Sequence, residues 1–238
     1  MKSSNSHEIK LWPDETFDDF MDGRLKLIQS KTGYRFSIDA ILLSEFVTIK
    51  QGDVVIDLGT GCGVIPLILL LTRSLKYVLG LEIQRGLSDQ ASRNARFNGF
   101  ERRMKIILGD IKHPPFADSS ADVVICNPPY RKKDHGRINP DPQRAIARHE
   151  IRTSLNDILS SARRLLRSKG RLAIIFPVVR LVDLLAGMRG FDLEPKRMRI
   201  VYPDLQSEAK LALVEASLGG QGGLKILPPI IDQGDFSI

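Results

Sequence analysis

Cysteine is nearly absent from this chain. Two residues, Cys62 and Cys126, stand among 238, and small buried thiols in a reducing compartment are the expectation for both. Histidine is scarce too, and His7, His113, His135 and His149 are scattered. Neither residue type shows ligand spacing, so no metal is expected. Also lacking is any apolar run near the roughly 20 residues that span a bilayer. The best, Val64 to Thr72, contains Pro66 and is followed by Arg73. The amino terminus opens Met-Lys-Ser-Ser-Asn-Ser and then turns acidic and aromatic, without the apolar core of an export signal. A cytoplasmic protein without membrane contact is expected.

What is present fits a folded α/β protein. Apolar residues make up 42% and charged residues 26%, a profile that can bury a core. The length suits one domain over 1–238: an extension and helix in 1–48, then a core in 49–238. Asp53 to Leu58 is a short apolar strand leading into Gly59-Thr60-Gly61-Cys62-Gly63, and Val64 to Leu71 follows as a buried helix. Glycines in that order allow a tight turn and let a ligand approach backbone N–H groups at a helix start. The next strand, Tyr77 to Leu81, ends in Glu82, twenty-five residues after Asp57, where a carboxylate can accept from ribose hydroxyls. The loop lacks the Lys of a phosphate-binding loop and the spacing of a dinucleotide fingerprint, so a nucleoside without phosphates fits better.

Further on, Arg85 to Phe97 is helical and stops at Asn98-Gly99, and Met104 to Leu108 is a strand followed by Gly109-Asp110. Asp110 can accept from an adenine amine or serve as a turn aspartate. Val123 to Cys126 reads as a strand covered on both faces. It ends in Asn127-Pro128-Pro129-Tyr130. The prolines stiffen the exit, leaving the Asn127 amide oxygen and the Pro128 carbonyl as fixed acceptors for an amino group, with the Tyr130 ring free to stack on a flat substrate. An ordinary strand-to-loop exit is the plainer alternative.

Charge is concentrated just beyond. Between Arg131 and Gly170 eleven basic residues face four acids, an excess equal to the net +7 of the whole chain. Arg131, Lys132, Lys133, Arg137, Arg144 and Arg148, in a substrate loop over 131–150, are candidate polyanion contacts. Arg163, Arg164 and Arg167 fit a solvated helix face. Elsewhere, Arg24 to Gln29 reads as an edge strand or hairpin, and Met1 to Asp22 is left without an element. Ser37 reads as the cap of a helix to about Val47, with Asp39 in its first turn. Phe36 and Asp39, just before the glycine loop, are candidates for one wall of the site. Thr153 to Arg167 and Leu181 to Met188 read as helices, Arg171 to Phe176 as a strand. Phe191 to Tyr202, Lys210 to Ala216 and Leu224 to Ile231 read as an antiparallel tail.

Taken together, these residues resemble the class I S-adenosylmethionine-dependent methyltransferases. Asp57 to Gly63 resembles the motif that holds the methionine part of the cofactor, Glu82 the ribose acid, Asp110 the adenine acid and Asn127 to Tyr130 the motif of amino-group methyltransferases. The resemblance implies a Rossmann-like fold, with a seven-stranded, mostly parallel sheet, one antiparallel C-terminal strand and helices on both faces. More narrowly, Gly33 to Ala40, Ala147-Arg148-His149-Glu150 and Leu227-Pro228-Pro229 resemble the bacterial tRNA(Val) adenine-37 N(6)-methyltransferases. That family implies methylation of an adenine flipped out beside the anticodon, with tRNA as the partner; a monomer or homodimer is expected. Three rivals share the features. Glutamine methyltransferases of release factors carry the same Asn-Pro-Pro-Tyr signature but usually a longer helical domain before the glycine loop, where about fifty residues stand here. DNA or ribosomal amino groups fit the same pocket, and a non-catalytic RNA-binding module would have no evident need for Asn127 to Tyr130.

Overall fold

The structure, a computed structural model, describes residues 11–32, 37–128 and 153–232. Phe36, Pro129, Tyr130 and the basic residues Arg131, Lys132, Lys133, Arg137, Arg144 and Arg148 lie outside the described residues.

The chain begins with an antiparallel hairpin, β1 (Glu15–Phe20) and β2 (Leu25–Ser30), turned by Met21, Asp22 and Gly23, all at positive φ. Helix α1 (Ile38–Phe46) follows, then alternating strands and helices: β3 (Val54–Leu58), α2 (Val64–Thr72), β4 (Tyr77–Glu82), α3 (Arg85–Phe97), β5 (Met104–Leu108) and β6 (Ala121–Cys126). Beyond the next described residues come α4 (Leu155–Leu165), β7 (Leu166–Pro177), α5 (Leu181–Gly190), β8 (Leu193–Tyr202) and β9 (Leu211–Leu218), with short strands β10 (Lys225–Ile226) and β11 (Ile230–Ile231).

Strands run in the order β5-β4-β3-β6-β7-β9-β8. The first five are mutually parallel, and β9 alone runs antiparallel to both neighbours. This is the expected Rossmann-like sheet with one antiparallel strand near the C-terminus, but it has nine strands where seven are expected, because β10 and β11 extend it beyond β8. Its central strands are buried on both faces, so their residues divide by parity. Val55 and Ile125 join α1, α2 and α3 in one core cluster, while Ile56, Leu58, Val124 and Cys126 join α4 and α5 in the other. Helix α2 is apolar nearly all round, with Val64 to Leu70 buried, as a helix enclosed by a core must be. Cys62 and Cys126 are buried and form no disulfide among the described residues.

Four details differ from the sequence reading. The segment before Asp22, which the sequence leaves without an element, contains Glu15–Phe20, paired with β2. Ser37 sits at the N-cap of α1, but its hydroxyl meets the Asp39 carboxylate instead of a helix N–H. Helix α4 stops at Leu165 because the start of β6 captures the next residue: Ala121 pairs with Leu166, and the register then shifts so that Val123 meets Arg171 across a bulge holding Lys169 at φ 61° and Gly170. Finally, the C-terminal stretch is parallel to β8, not antiparallel, and broken in two. Gly219, Gly220, Gly222 and Gly223 carry the chain over the end of β8 to its far edge, and Pro228 and Pro229 have no N–H with which to join the two pieces.

Candidate active site

Strand order reverses between β3 and β6, which are neighbours although two strands and two helices separate them in sequence. Past their carboxyl ends a crevice opens, the place where open α/β sheets bind ligands. Register sets what faces it. Leu58 lies beside Leu81 and Cys126, and Glu82 beside Leu108. Asp57, Glu82, Asp110 and Asn127 therefore stand within two residues of four adjacent strand ends, at one edge of the sheet.

The glycine loop is shaped by contacts that were not visible in the sequence. Gly59, Gly61 and Gly63 adopt φ of 77°, 58° and 86°, which side chains on an L residue strongly disfavour. Gly63 is also a packing glycine, since a Cβ there would sit 2.5 Å from Met104 Cε and 3.1 Å from Ala91 Cβ. The N–H groups of Gly59 and Thr60 both donate to the Leu81 carbonyl, at 2.9 and 3.0 Å, pinning the loop to β4. Gly80 in β4 leaves room for the Thr60 side chain.

Beneath the loop are two buried acids. Asp57 is 1% exposed. Its Oδ2 accepts from the Thr60 hydroxyl at 2.6 Å, while Oδ1, also buried, has no donor among the described residues. Burial pushes its carboxyl from an ordinary 3.8 up to about 7, against the Thr60 hydrogen bond and with the help of the Glu82 charge. Glu82 accepts from the Gly61 and Gln84 N–H groups at 2.9 and 2.8 Å. Its pKa is raised by burial, partly offset by those backbone donors. Among the described residues neither acid has a Lys or Arg ion-pair partner. Burial, together with the Asp57 charge, also raises the Cys126 thiol well above its usual range, so it is inert.

The remaining candidates stand around these acids. Asp110 is half-buried after β5, and its Oδ1 accepts from the Lys112 N–H at 2.9 Å in a turn, so it has the turn function foreseen as an alternative and a second oxygen besides. Asp39, in the first turn of α1, has a pKa raised by burial, moderated by Ser37. Asn127 and Pro128 follow β6 directly, Pro128 buried and Asn127 half-buried.

A family profile described as methyltransferase domain matches residues 49–210. The chain belongs to the methyltransferase-domain family. A Porphyromonas gingivalis protein is 31% identical over 207 residues, covering 83% of this chain and 80% of the relative. One from Parabacteroides distasonis is 29% identical over 188 residues, covering 79% and 78%. One from Tolumonas auensis is 30% identical over 151 residues, 63% of this chain and 62% of the relative, so that match spans less than two thirds of either. All three are named tRNA1(Val) (adenine(37)-N6)-methyltransferase. Among solved structures, a predicted O-methyltransferase from Agrobacterium tumefaciens superposes with a TM-score of 0.66 at 20% identity, covering 82% of this chain and 88% of that one. Geranyl diphosphate C-methyltransferase from Streptomyces coelicolor, solved with S-adenosyl-L-homocysteine, gives 0.57 at 16% identity over 75% and 79%.

The cofactor of this methyltransferase is S-adenosylmethionine, and the residues present fit it. A ligand bearing a sulfonium and an ammonium group suits an edge where, among the described residues, two buried carboxylates lack a cation and one carboxylate oxygen lacks any donor. Glu82, although it accepts two N–H bonds, retains lone pairs for ribose hydroxyls.

Proposed function

We propose that this methyltransferase acts on the exocyclic amino group of an adenine in tRNA, next to the anticodon, in the cytoplasm. The observation that carries the reading is Asn127-Pro128 at the end of β6, one strand from the glycine loop, in a chain whose relatives bear the name tRNA1(Val) (adenine(37)-N6)-methyltransferase. S-adenosylmethionine supplies an electrophilic methyl group. The chain's own contribution is alignment. The Asn127 side-chain oxygen and the Pro128 carbonyl accept the two amine hydrogens, which draws the nitrogen lone pair out of conjugation and aims it at the methyl carbon. Pro129 stiffens the turn and Tyr130 stacks on the base. Asp57, Glu82, Asp110 and the three loop glycines hold the cofactor, with Phe36 and Asp39 as a wall. Arg131, Lys132, Lys133, Arg137, Arg144 and Arg148 grip the phosphates. The whole chain, 1–238, acts as one domain.

The test is transfer of labelled methyl from S-adenosylmethionine into tRNA, ribosomal RNA, DNA and protein from cells lacking the gene. Methyladenosine in the tRNA fraction, lost by at least a hundredfold in Asn127→Ala, is the expected result. Label confined to protein would move the activity to a glutamine side chain.

A further inference from the structure

The hairpin β1–β2 does not join the main sheet. It packs on α3, and side-chain amides make the joint. Asn98 Oδ1 accepts from the Lys26 N–H at 2.8 Å and its Nδ2 donates to the Lys26 carbonyl at 2.7 Å. One turn earlier, Asn94 treats Ile28 in the same way, at 2.7 and 3.0 Å. Another turn earlier, Gln90 donates to Ser30 Oγ at 3.0 Å and to Glu15 Oε1 at 3.1 Å. The spacing explains the fit. Residues four apart on a helix rise about 6 Å, close to the two-residue repeat of a strand, so 90, 94 and 98 meet 30, 28 and 26 in step. Side-chain amides thus occupy the edge of β2 that turns away from β1.

Asn94 differs from Asn98 in one respect. It is fully buried, and its Nδ2 also donates to the Cys62 carbonyl at 2.9 Å. Cys62 lies between Gly61, whose N–H binds Glu82, and Gly63, which starts α2. Asn98 makes its third bond to the Asn94 carbonyl, within its own helix. A single amide therefore fixes a carbonyl of the glycine loop and a peptide group of the hairpin at once.

We propose that Asn94 is a positioning residue for cofactor binding, holding the glycine loop open to the ligand and tying its geometry to the hairpin. Without the amide, the Cys62 carbonyl loses its 2.9 Å bond from Asn94, and the peptide planes around it shift. The same peptide's Gly63 N–H donates at 2.9 Å to the Thr60 carbonyl, in the peptide whose Gly61 N–H steadies Glu82. Loss of Asn94 thus weakens the cofactor site, whereas loss of Asn98 loosens the hairpin alone.

Binding of S-adenosylhomocysteine to the full chain, followed by calorimetry, separates the two. It is independent of the nucleic-acid substrate, so it stands even if the tRNA reading falls. Asn94→Ala and Asn98→Ala are both expected to lower the Tm. Only Asn94→Ala is expected to raise the Kd, by about tenfold, with kcat at saturating cofactor changed less than KM. A Kd unchanged in Asn94→Ala, or raised equally in both, overturns the proposal. Should Asn94→Ala fail to fold, hydrogen exchange in the wild type decides. Cofactor binding is expected to slow exchange of the Ile28 amide, bonded to Asn94, more than that of the Lys26 amide, bonded to Asn98. Equal responses at the two amides overturn it.

Discussion

The two edges of the sheet treat buried acids in opposite ways. Toward the amino edge, Asp53 is paired with Arg171 and half-buried Asp122 with Arg167 at 2.8 Å, and Glu215, level with Asp57 in register but three strands away, is paired with Arg197 at 3.2 Å and accepts from the Thr48 N–H at 2.7 Å. Burial would raise the Asp122 carboxyl, but the Val54 N–H and the Arg167 guanidinium together hold it below its usual range. At the carboxyl edge Asp57 and Glu82 have no such cation among the described residues, and both are pushed upward. One edge is neutralised by the chain itself. The other awaits charge from outside, which is what a site for a cationic cofactor requires.

Asp57→Asn tests the carboxyl edge with the largest expected effect. Above pH 7 an ionised Asp57 whose pKa is about 7 instead of 3.8 costs the free protein on the order of 4 kcal/mol by linkage. The amide removes that cost and can still accept from Thr60. The free variant is therefore expected to melt higher than wild type at pH 8 while binding S-adenosylmethionine at least tenfold more weakly. A lower melting temperature would mean that Asp57 is not in deficit. Arg171→Leu is the converse at the amino edge. It leaves Asp53 buried without its cation, for a loss of about 3 kcal/mol, or roughly 6–12 °C in Tm, and cofactor affinity in the folded protein is expected to stay within twofold.

The edges should also part in their response to pH. The folded pKa of Asp57 is raised, so the folded state binds the extra proton, and the free protein loses stability as pH rises from about 4 to about 7, with no further loss from this group above that. Binding a cation favours the ionised carboxylate and expels the proton. Affinity for S-adenosylmethionine should therefore rise with pH toward 7, by at most about tenfold per unit, and then level off. The Asp57→Asn variant should flatten that rise. Asp122 has the opposite sign, a depressed pKa, and its contribution is kept above its unfolded pKa and lost as pH falls through the lower folded value.

Much of the carboxyl edge could be read from the sequence because its signals are local. A strand, three glycines and a helix, then a strand ending in Glu82 and another ending in Asn127, declare themselves by residue type and order. The amino edge could not. Asp53 meets Arg171 across β6, and Glu215 meets Thr48 because β9 enters between β7 and β8. Strand β1 is illegible for a related reason. Glu15 looks like a surface residue, and the Trp12 N–H together with the Arg93 guanidinium and Gln90 from α3 makes its burial tolerable. The parallel course of the tail turns on a crossing over β8 that spacing does not record. The same holds for Gly80, which reads as an ordinary small residue inside β4.

Gly80 offers the finest test of how the acid at the carboxyl edge is kept. A Cβ at that position would lie 2.8 Å from Thr60 Cγ2, 2.9 Å from Thr60 Oγ1 and 2.9 Å from Ile106 Cδ1, closer than atoms pack without moving. The Thr60 side chain can move only by giving up its 2.6 Å bond to Asp57. Gly80→Ala should therefore cost about 1–2 kcal/mol through overpacking and raise the Asp57 pKa further, since its one side-chain donor is displaced. The rise of cofactor affinity should then extend to higher pH than in wild type. A stability loss with an unshifted pH profile would show that Thr60 keeps its bond and that Ile106 absorbs the strain.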